Sequence, residues 1–109
     1  MLQFPQIQPL ALEQINAQPT PQIYGKAGLF PIASSPSTGV IAWIWPAADP
    51  NRWNIEESAD GETGWTHFGL VLGPIRSISN GVGGNFFRVT GLDGFANPIT
   101  LVSNPAKCL

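Results

Sequence analysis

Between residues 28 and 105, turn-forming residues divide the chain into short runs in which apolar and polar residues alternate. In the clearest run, Arg52–Ser58, Trp53 and Ile55 fall on one face and polar residues on the other. Such runs, separated by Gly, Pro, Asn and Asp, are typical of half-buried β-strands joined by turns. Seven runs are recognised: 29–33, 39–45, 52–58, 64–72, 75–79, 85–92 and 98–103. Their spacing of about 8–12 residues predicts an all-β sandwich of two sheets, almost without helix.

The length and the charge of the chain limit the number of its domains and the kind of partner it can bind. Its 109 residues suffice for one hydrophobic core but not for two. Charged residues make up only 11% of the sequence, against about 25% in an average soluble domain. A surface so poor in charge indicates that other protein covers much of it. The net charge is −2 and the basic residues are scattered, so no nucleic-acid partner is expected.

Residues 1–27 have a different composition, because proline and glutamine replace the alternating pattern. Prolines at this density remove backbone donors and exclude a regular sheet. Apolar side chains nevertheless recur there, namely Phe4, Ile7, Leu10, Leu12 and Ile15. We predict an extended arm that binds a neighbouring protein through these side chains, and the composition leaves a floppy tail open as the alternative.

The chain is therefore predicted to have three regions: the arm at 1–27, a β-sandwich domain at 28–105 and a C-terminal tail at 106–109. The first residues contain neither a basic segment nor an apolar segment of a secretory signal. No run approaches the roughly 18 apolar residues of a membrane span. A single cysteine, Cys108, cannot form an internal disulfide. We expect the protein to be made and first used in a cytoplasm, without a membrane partner.

Several local motifs match one known domain type. They are the Trp43 strand (Val40-Ile41-Ala42-Trp43), Trp53 on the next strand, the segment Phe86-Phe87-Arg88-Val89-Thr90-Gly91-Leu92-Asp93, the hairpin Ser58-Ala59-Asp60-Gly61 followed by Trp65, and Ser103-Asn104-Pro105. Through them, residues 29–104 resemble a fibronectin type III domain. The resemblance implies an immunoglobulin-like sandwich with Trp43 and Trp53 in its core.

Two positions depart from the family pattern. Asn85 stands where members of this family place a tyrosine, so no phenol is available for a corner hydrogen bond. Gly91 stands where they place an alanine, and it is expected to leave more room and less packing at that point.

The apolar pattern also predicts which side chains are buried and which bind. The predicted core consists of Trp43, Trp53, Ile55, Phe87 and Val89. Trp45, on the same strand face as Trp43, and Trp65, beside a glycine-rich turn, are the candidates for an interface or a ligand site.

No residue pattern indicates catalysis, a metal or a cofactor. His67 is the only histidine, and neither a His/Cys cluster nor zinc-ligand spacing accompanies it. The acidic residues at 56, 57, 60 and 62 point to different faces of a strand and its turn, and are interpreted as solvated carboxylates. The glycines at 81, 83 and 84 precede neither a lysine nor a predicted helix, which excludes a phosphate-binding loop. We predict that the chain is not an enzyme.

These observations favour a structural subunit of a large assembly whose partners are further copies of the chain or other proteins. The best candidate is a virion component of a tailed bacteriophage, such as a head decoration or a tail, baseplate or fibre protein. Fibronectin-like modules occur in such positions, and virions assemble in the host cytoplasm. The alternative is a carbohydrate- or receptor-binding module that uses Trp45 and Trp65.

Overall fold

The computed structural model describes residues 29–109. The predicted arm residues Phe4, Ile7, Leu10, Leu12 and Ile15 lie outside the described residues. Seven strands form within the described part: β1 (Ile32–Ser34), β2 (Ile41–Ile44), β3 (Arg52–Ser58), β4 (Thr66–Leu72), β5 (Ser77–Ile78), β6 (Phe86–Leu92) and β7 (Ala106–Lys107).

The strands form two antiparallel sheets. The three-stranded sheet has the order β1-β2-β5, and the four-stranded sheet has the order β4-β3-β6-β7. The predicted all-β fold of two sheets and about seven strands is confirmed for residues 29–109, which contain no helix.

The core lies between the two sheets, and all five side chains predicted for it are buried. Trp53 is fully buried and packs edge-on against Trp43 and Trp45, with ring centroids 5.9 Å and 6.0 Å apart. Its indole Nε1–H donates a 2.9 Å hydrogen bond to the Gly73 carbonyl. The three tryptophans therefore fill the centre of the sandwich, where edge-to-face contacts between aromatic rings are favourable.

The predicted strand at 98–103 is wrong, because this segment is irregular apart from a single bridge at Pro98. This segment runs beside β6, and some N–H groups of β6 donate to its hydroxyl side chains instead of to backbone carbonyls of a paired strand. Ser103 Oγ accepts the Val89 N–H, and Thr100 Oγ1 accepts the Gly91 N–H, each at 2.9 Å. Side-chain acceptors of this kind satisfy buried amides without strand geometry.

The last residues differ from the predicted tail, since 106–107 form β7 and Cys108 is buried. The Cys108 N–H donates to the Asn85 carbonyl beside β6. On the other side, the Gly39 N–H donates to the Leu109 carbonyl, and the Leu109 N–H donates to Ser35 Oγ. Because Ser35 and Gly39 lie between β1 and β2, residues 106–109 connect the two sheets. We call this segment the C-terminal seam.

Candidate interaction surfaces

The outer face of the three-stranded sheet carries an exposed apolar row. Ile32 and Ile44 lie directly opposite each other on β1 and β2, and they are 56% and 69% exposed. The pairing of β2 with β5, continued by the Trp43 N–H to Arg76 carbonyl bond, places the exposed Ile75 on the other side of Ile44. We call Ile32, Ile44 and Ile75 the isoleucine row.

Strand alternation explains why these isoleucines face outward. Ile41 and Trp43 of β2 point into the core, as does Trp45 just beyond it, so Ile44 between the two tryptophans must point away from it. The exposed Phe30 lies two residues before Ile32 and adds to this apolar surface.

The free edge of β1 is occupied by a side chain. The Ala33 N–H donates to Asn104 Oδ1 at 2.8 Å, and Asn104 Nδ2 donates to the Ala33 carbonyl at 2.9 Å. An edge strand otherwise offers such groups to another chain. At Ala33, the amide of Asn104 closes this edge to a further strand.

A polar and aromatic row crosses the outer face of the four-stranded sheet. Arg88 lies over the Trp65 ring, with its Cζ 4.2 Å from the centroid, and its Nε donates to Glu56 Oε1 at 2.7 Å. Beside this group, His67 Nδ1 lies 2.9 Å from Asn54 Oδ1. Trp65 is only half-buried, so part of its ring stays accessible among these polar groups.

A groove of about 500 Å³ opens near the start of β3, and we call it the Arg52 groove. Arg52 is paired across the sheet with Leu72 of β4 and Leu92 of β6. Leu70 and the loop after β6 complete its walls. Within residues 29–109 the Arg52 guanidinium has no carboxylate partner, whereas Arg76 and Arg88 are each paired with one.

One wall of the groove is a tightly built loop at 93–97. Asp93 Oδ1 accepts the N–H groups of Phe95 and Asn97 at 2.8 Å and 2.9 Å, and Ala96 adopts a left-handed φ of 64°. The N–H of Asn97, opposed by partial desolvation and aided by the Phe95 amide, lowers the pKa of Asp93 below its ordinary value. The loop leaves the Phe95 side chain 87% exposed.

The β3–β4 turn is organised by a second aspartate. Asp60 Oδ1 accepts the N–H groups of Thr63 and Glu62 at 2.9 Å and 2.8 Å, and Oδ2 accepts the Thr63 hydroxyl at 2.8 Å. These hydrogen bonds, that of the Thr63 amide first, lower the pKa of Asp60 far below its ordinary value. Because both oxygens are used within the turn, Asp60 is a structural residue.

The structure separates the two tryptophans predicted as ligand or interface candidates. Trp45 is 6% exposed, and its Nε1–H donates to the Ala48 carbonyl, so its ring is part of the core. Trp65 remains partly accessible. Cys108 is buried at the C-terminal seam. The described residues hold no group of three or more His, Cys, Asp or Glu side chains suited to a metal ion.

Sequence reasoning missed the residues that form the exposed surfaces. Strand alternation would have predicted that Ile44 is exposed, because it lies between the two buried residues Trp43 and Trp45. Phe95 carries a signal too, because an aromatic residue inside the turn Asp93-Gly94-Phe95-Ala96-Asn97 has no core to enter. The position of Arg52 between two leucines had no signal, since it depends on the register of three strands.

Comparison of the chain with protein-family models, with curated proteins and with solved structures finds no match. Among residues 29–109, no helix is long and apolar enough to cross a membrane. The surfaces described above are therefore the basis for any functional conclusion.

Proposed function

We propose that this chain is a non-enzymatic structural subunit of a protein assembly, a virion component of a tailed bacteriophage being the best candidate. The observation that carries the proposal is the isoleucine row. Ile32 of β1, Ile44 of β2 and Ile75, two residues before β5, share one exposed face, and Phe30 extends it. Contiguous apolar surface on a soluble domain marks a site that another protein covers.

The composition of the chain supports the same function. Only 11% of its residues are charged, and most carboxylates of the described part are used in internal contacts. Few charges are left to keep an isolated domain dispersed. A chain with this surface is suited to a position in which neighbours cover it.

The strand order supports the resemblance to fibronectin type III domains. In one sheet β2 pairs with β1 and β5, and in the other β3 pairs with β4 and β6. The pairs β2–β5 and β3–β6 thus join strands that are not consecutive in the chain. Such crossed-over connections between two sheets are common in immunoglobulin-like sandwiches. The association of these modules with virions is an analogy at the level of the fold.

We further propose that residues 1–27 dock the subunit onto its neighbour. In the sequence they come shortly before Phe30, which is exposed on the apolar surface. Their prolines reduce the entropy lost on ordering, and their apolar side chains can enter a groove on another subunit. Since Asn104 occupies the β1 edge at Ala33, side chains rather than an added strand at that edge are expected to make this contact.

Sedimentation velocity on the purified chain of residues 1–109 tests the proposal. We expect concentration-dependent assembly of the wild-type chain, and at least about a tenfold loss of affinity in Ile44→Lys, because a charge cannot be buried unpaired in an apolar contact. Val82→Lys, at a 50% exposed loop position, is the matched control and should assemble normally. Urea unfolding establishes that both variants fold. A wild-type chain that stays monomeric, or an Ile44→Lys chain that assembles like the control, contradicts the proposal.

A carbohydrate- or receptor-binding module is the second candidate, and one observation favours it. The accessible part of Trp65 lies beside Arg88, Glu56, His67 and Asn54, a set of polar side chains that can bind hydroxyl groups. Because Trp45 is in the core, only Trp65 of the two predicted tryptophans remains for this role. Binding of the intact chain to a glycan array, without assembly, would support this candidate over the first.

A further inference from the structure

From the structure and the sequence, we infer that the Arg52 groove of one copy binds residues 10–15 of a second copy, with Glu13 paired to Arg52. This inference rests on the proposed function, since it specifies the contact that the arm makes.

The groove offers an unusual combination of an unpaired cation and apolar walls. Arg52 stands between Leu72 and Leu92, and Leu70 and Phe95 lie on the same groove. A segment that fills it must carry apolar side chains around one carboxylate. Buried without such a carboxylate, the Arg52 guanidinium would lose its hydration with no compensation.

Few carboxylates in the chain are available to Arg52. Most of those in the described part already have partners: Asp49 with Arg76, Glu56 with Arg88, Glu57 with Asn85, Asp60 with its turn and Asp93 with its loop. Glu62 belongs to the turn that follows β3, whereas Arg52 is the first residue of β3. Glu13 is the only acidic residue of the segment 1–28.

The surroundings of Glu13 match the groove. Leu10 and Leu12 precede it and Ile15 follows it, so one carboxylate is embedded among three large apolar side chains. The charges of Arg52 and Glu13 are thus opposite, and apolar side chains surround the charge both in the groove and in the segment. Electrostatic complementarity of this kind fixes the register of an interface.

The groove and the start of the described chain belong to different layers of the sandwich. Arg52, Leu72 and Leu92 lie on the four-stranded sheet, whereas Phe30 leads into β1 of the three-stranded sheet. The described chain therefore begins in the layer opposite its own groove, which favours a second copy as the donor.

A charge-reversal cycle on the chain of residues 1–109 tests the pair by sedimentation velocity. Arg52→Glu and Glu13→Arg should each weaken self-association by about tenfold or more, because like charges then meet in the contact. The double variant should recover most of the wild-type affinity. Lys107→Glu and Glu62→Arg make the same charge changes at two exposed positions outside the proposed contact and should have little effect. If the double variant associates no better than the single variants, the pairing is overturned.

Disulfide trapping tests whether the arm binds the groove of a second copy or the groove of its own copy. A chain with Glu13→Cys is mixed with a chain with Arg52→Cys, and a cross-linked dimer is expected. A chain carrying both substitutions that forms only an internal cross-link would show that the arm binds its own groove, which contradicts the inference. A wild-type chain that assembles while the charge-reversal variants are unaffected refutes this contact but leaves the assembly function standing. A chain that never self-associates refutes both.

Discussion

Thr100 holds its side chain firmly against the backbone of β6. Its Oγ1 accepts the Gly91 N–H at 2.9 Å and donates to the Leu101 carbonyl at 2.7 Å, so rotation of the side chain would break both hydrogen bonds. A Cβ at Gly91 would lie 2.7 Å from Thr100 Cγ2 and 3.2 Å from two atoms of the Pro50 ring. The expectation of spare room at Gly91 is therefore wrong, because Thr100 and Pro50 fill the space.

Gly91→Ala should destabilise the fold by about 1–3 kcal/mol, the usual cost of overpacking a site whose neighbours cannot yield. Gly69→Ala is the matched control, since Gly69 also lies in a strand but has nothing within 4 Å of its Cβ position. It should be neutral or slightly stabilising, because alanine restricts the unfolded chain more than glycine does. Urea midpoints of the two variants compare them directly. Equal midpoints would mean that Thr100 and Pro50 move aside.

Single residues were predictable where one pattern decided their position. The alternation around Trp53 and Ile55 fixes which of their neighbours face the core, and both side chains are buried. At Gly91 the neighbours come from distant parts of the chain, Pro50 and Thr100. No local pattern specifies such a contact, so its packing was not predictable from the sequence.

At the scale of elements, the β3–β4 turn depends on one charge. The folded turn lowers the pKa of Asp60 below its ordinary value of 3.8 by directing donors at the ionised carboxylate. A lowered pKa means that the folded state stabilises the ionised form of the Asp60 carboxyl more than the protonated form. Its stabilisation is complete above the unfolded pKa and is lost as pH falls through the folded pKa.

Asp60→Asn should therefore lower the urea midpoint at pH 7, and the difference from wild type should narrow as pH falls below 3.8. Urea titrations at several pH values measure this difference, in which the titration of Asp93 cancels. Glu62→Gln changes the neighbouring carboxylate, which accepts no hydrogen bond in the turn, and should leave the midpoint unchanged. A difference for Asp60→Asn that is independent of pH would show that the ionised carboxylate does not hold the turn.

Strands whose sequence alternates strongly form where the sequence predicts them. A segment whose hydrogen bonds come from side chains does not form the predicted strand. The bounds of β3 match the predicted run 52–58, although the register with β4 shifts between Ile55 and Glu56 and the alternation of buried residues ends there. Residues 98–103 have strand-like composition, yet hydroxyls of Ser103 and Thr100 satisfy β6 there and remove the need for a ladder. β7 is only two residues long, and so short a run carries no detectable period.

At the scale of the whole molecule, the C-terminal seam places Ala106 and Cys108 in the hydrophobic core. Cys108 is 2% exposed, Lys107 before it pairs with Phe86 of β6, and Leu109 after it bonds to Ser35 and Gly39 in the β1–β2 turn. A reagent can reach its sulfur only after the seam opens.

Modification of the Cys108 thiol by an aromatic disulfide reagent should therefore be slow in the folded chain, and its rate should rise with urea in step with unfolding. As control, Leu109→Cys combined with Cys108→Ser places the thiol at a 60% exposed position and should react at once. If both thiols react equally fast without denaturant, the seam is open in the native state.

The overall architecture was predictable, because turn spacing and alternation recur along the domain. The surfaces were not predictable, since the isoleucine row joins β1, β2 and a residue that precedes β5, and the Arg52 groove joins β3, β4 and β6. Their composition depends on register, which the sequence does not show directly.

The seam also bears on how the protein is made. Translation adds residues 106–109 after the other six strands found among residues 29–109 have been synthesised, yet residues 106–109 join the two layers. A nascent chain still inside the ribosome at Ala106 lacks the connection that closes its core, so folding must finish after this segment has emerged. Until then its tryptophans remain within reach of chaperones.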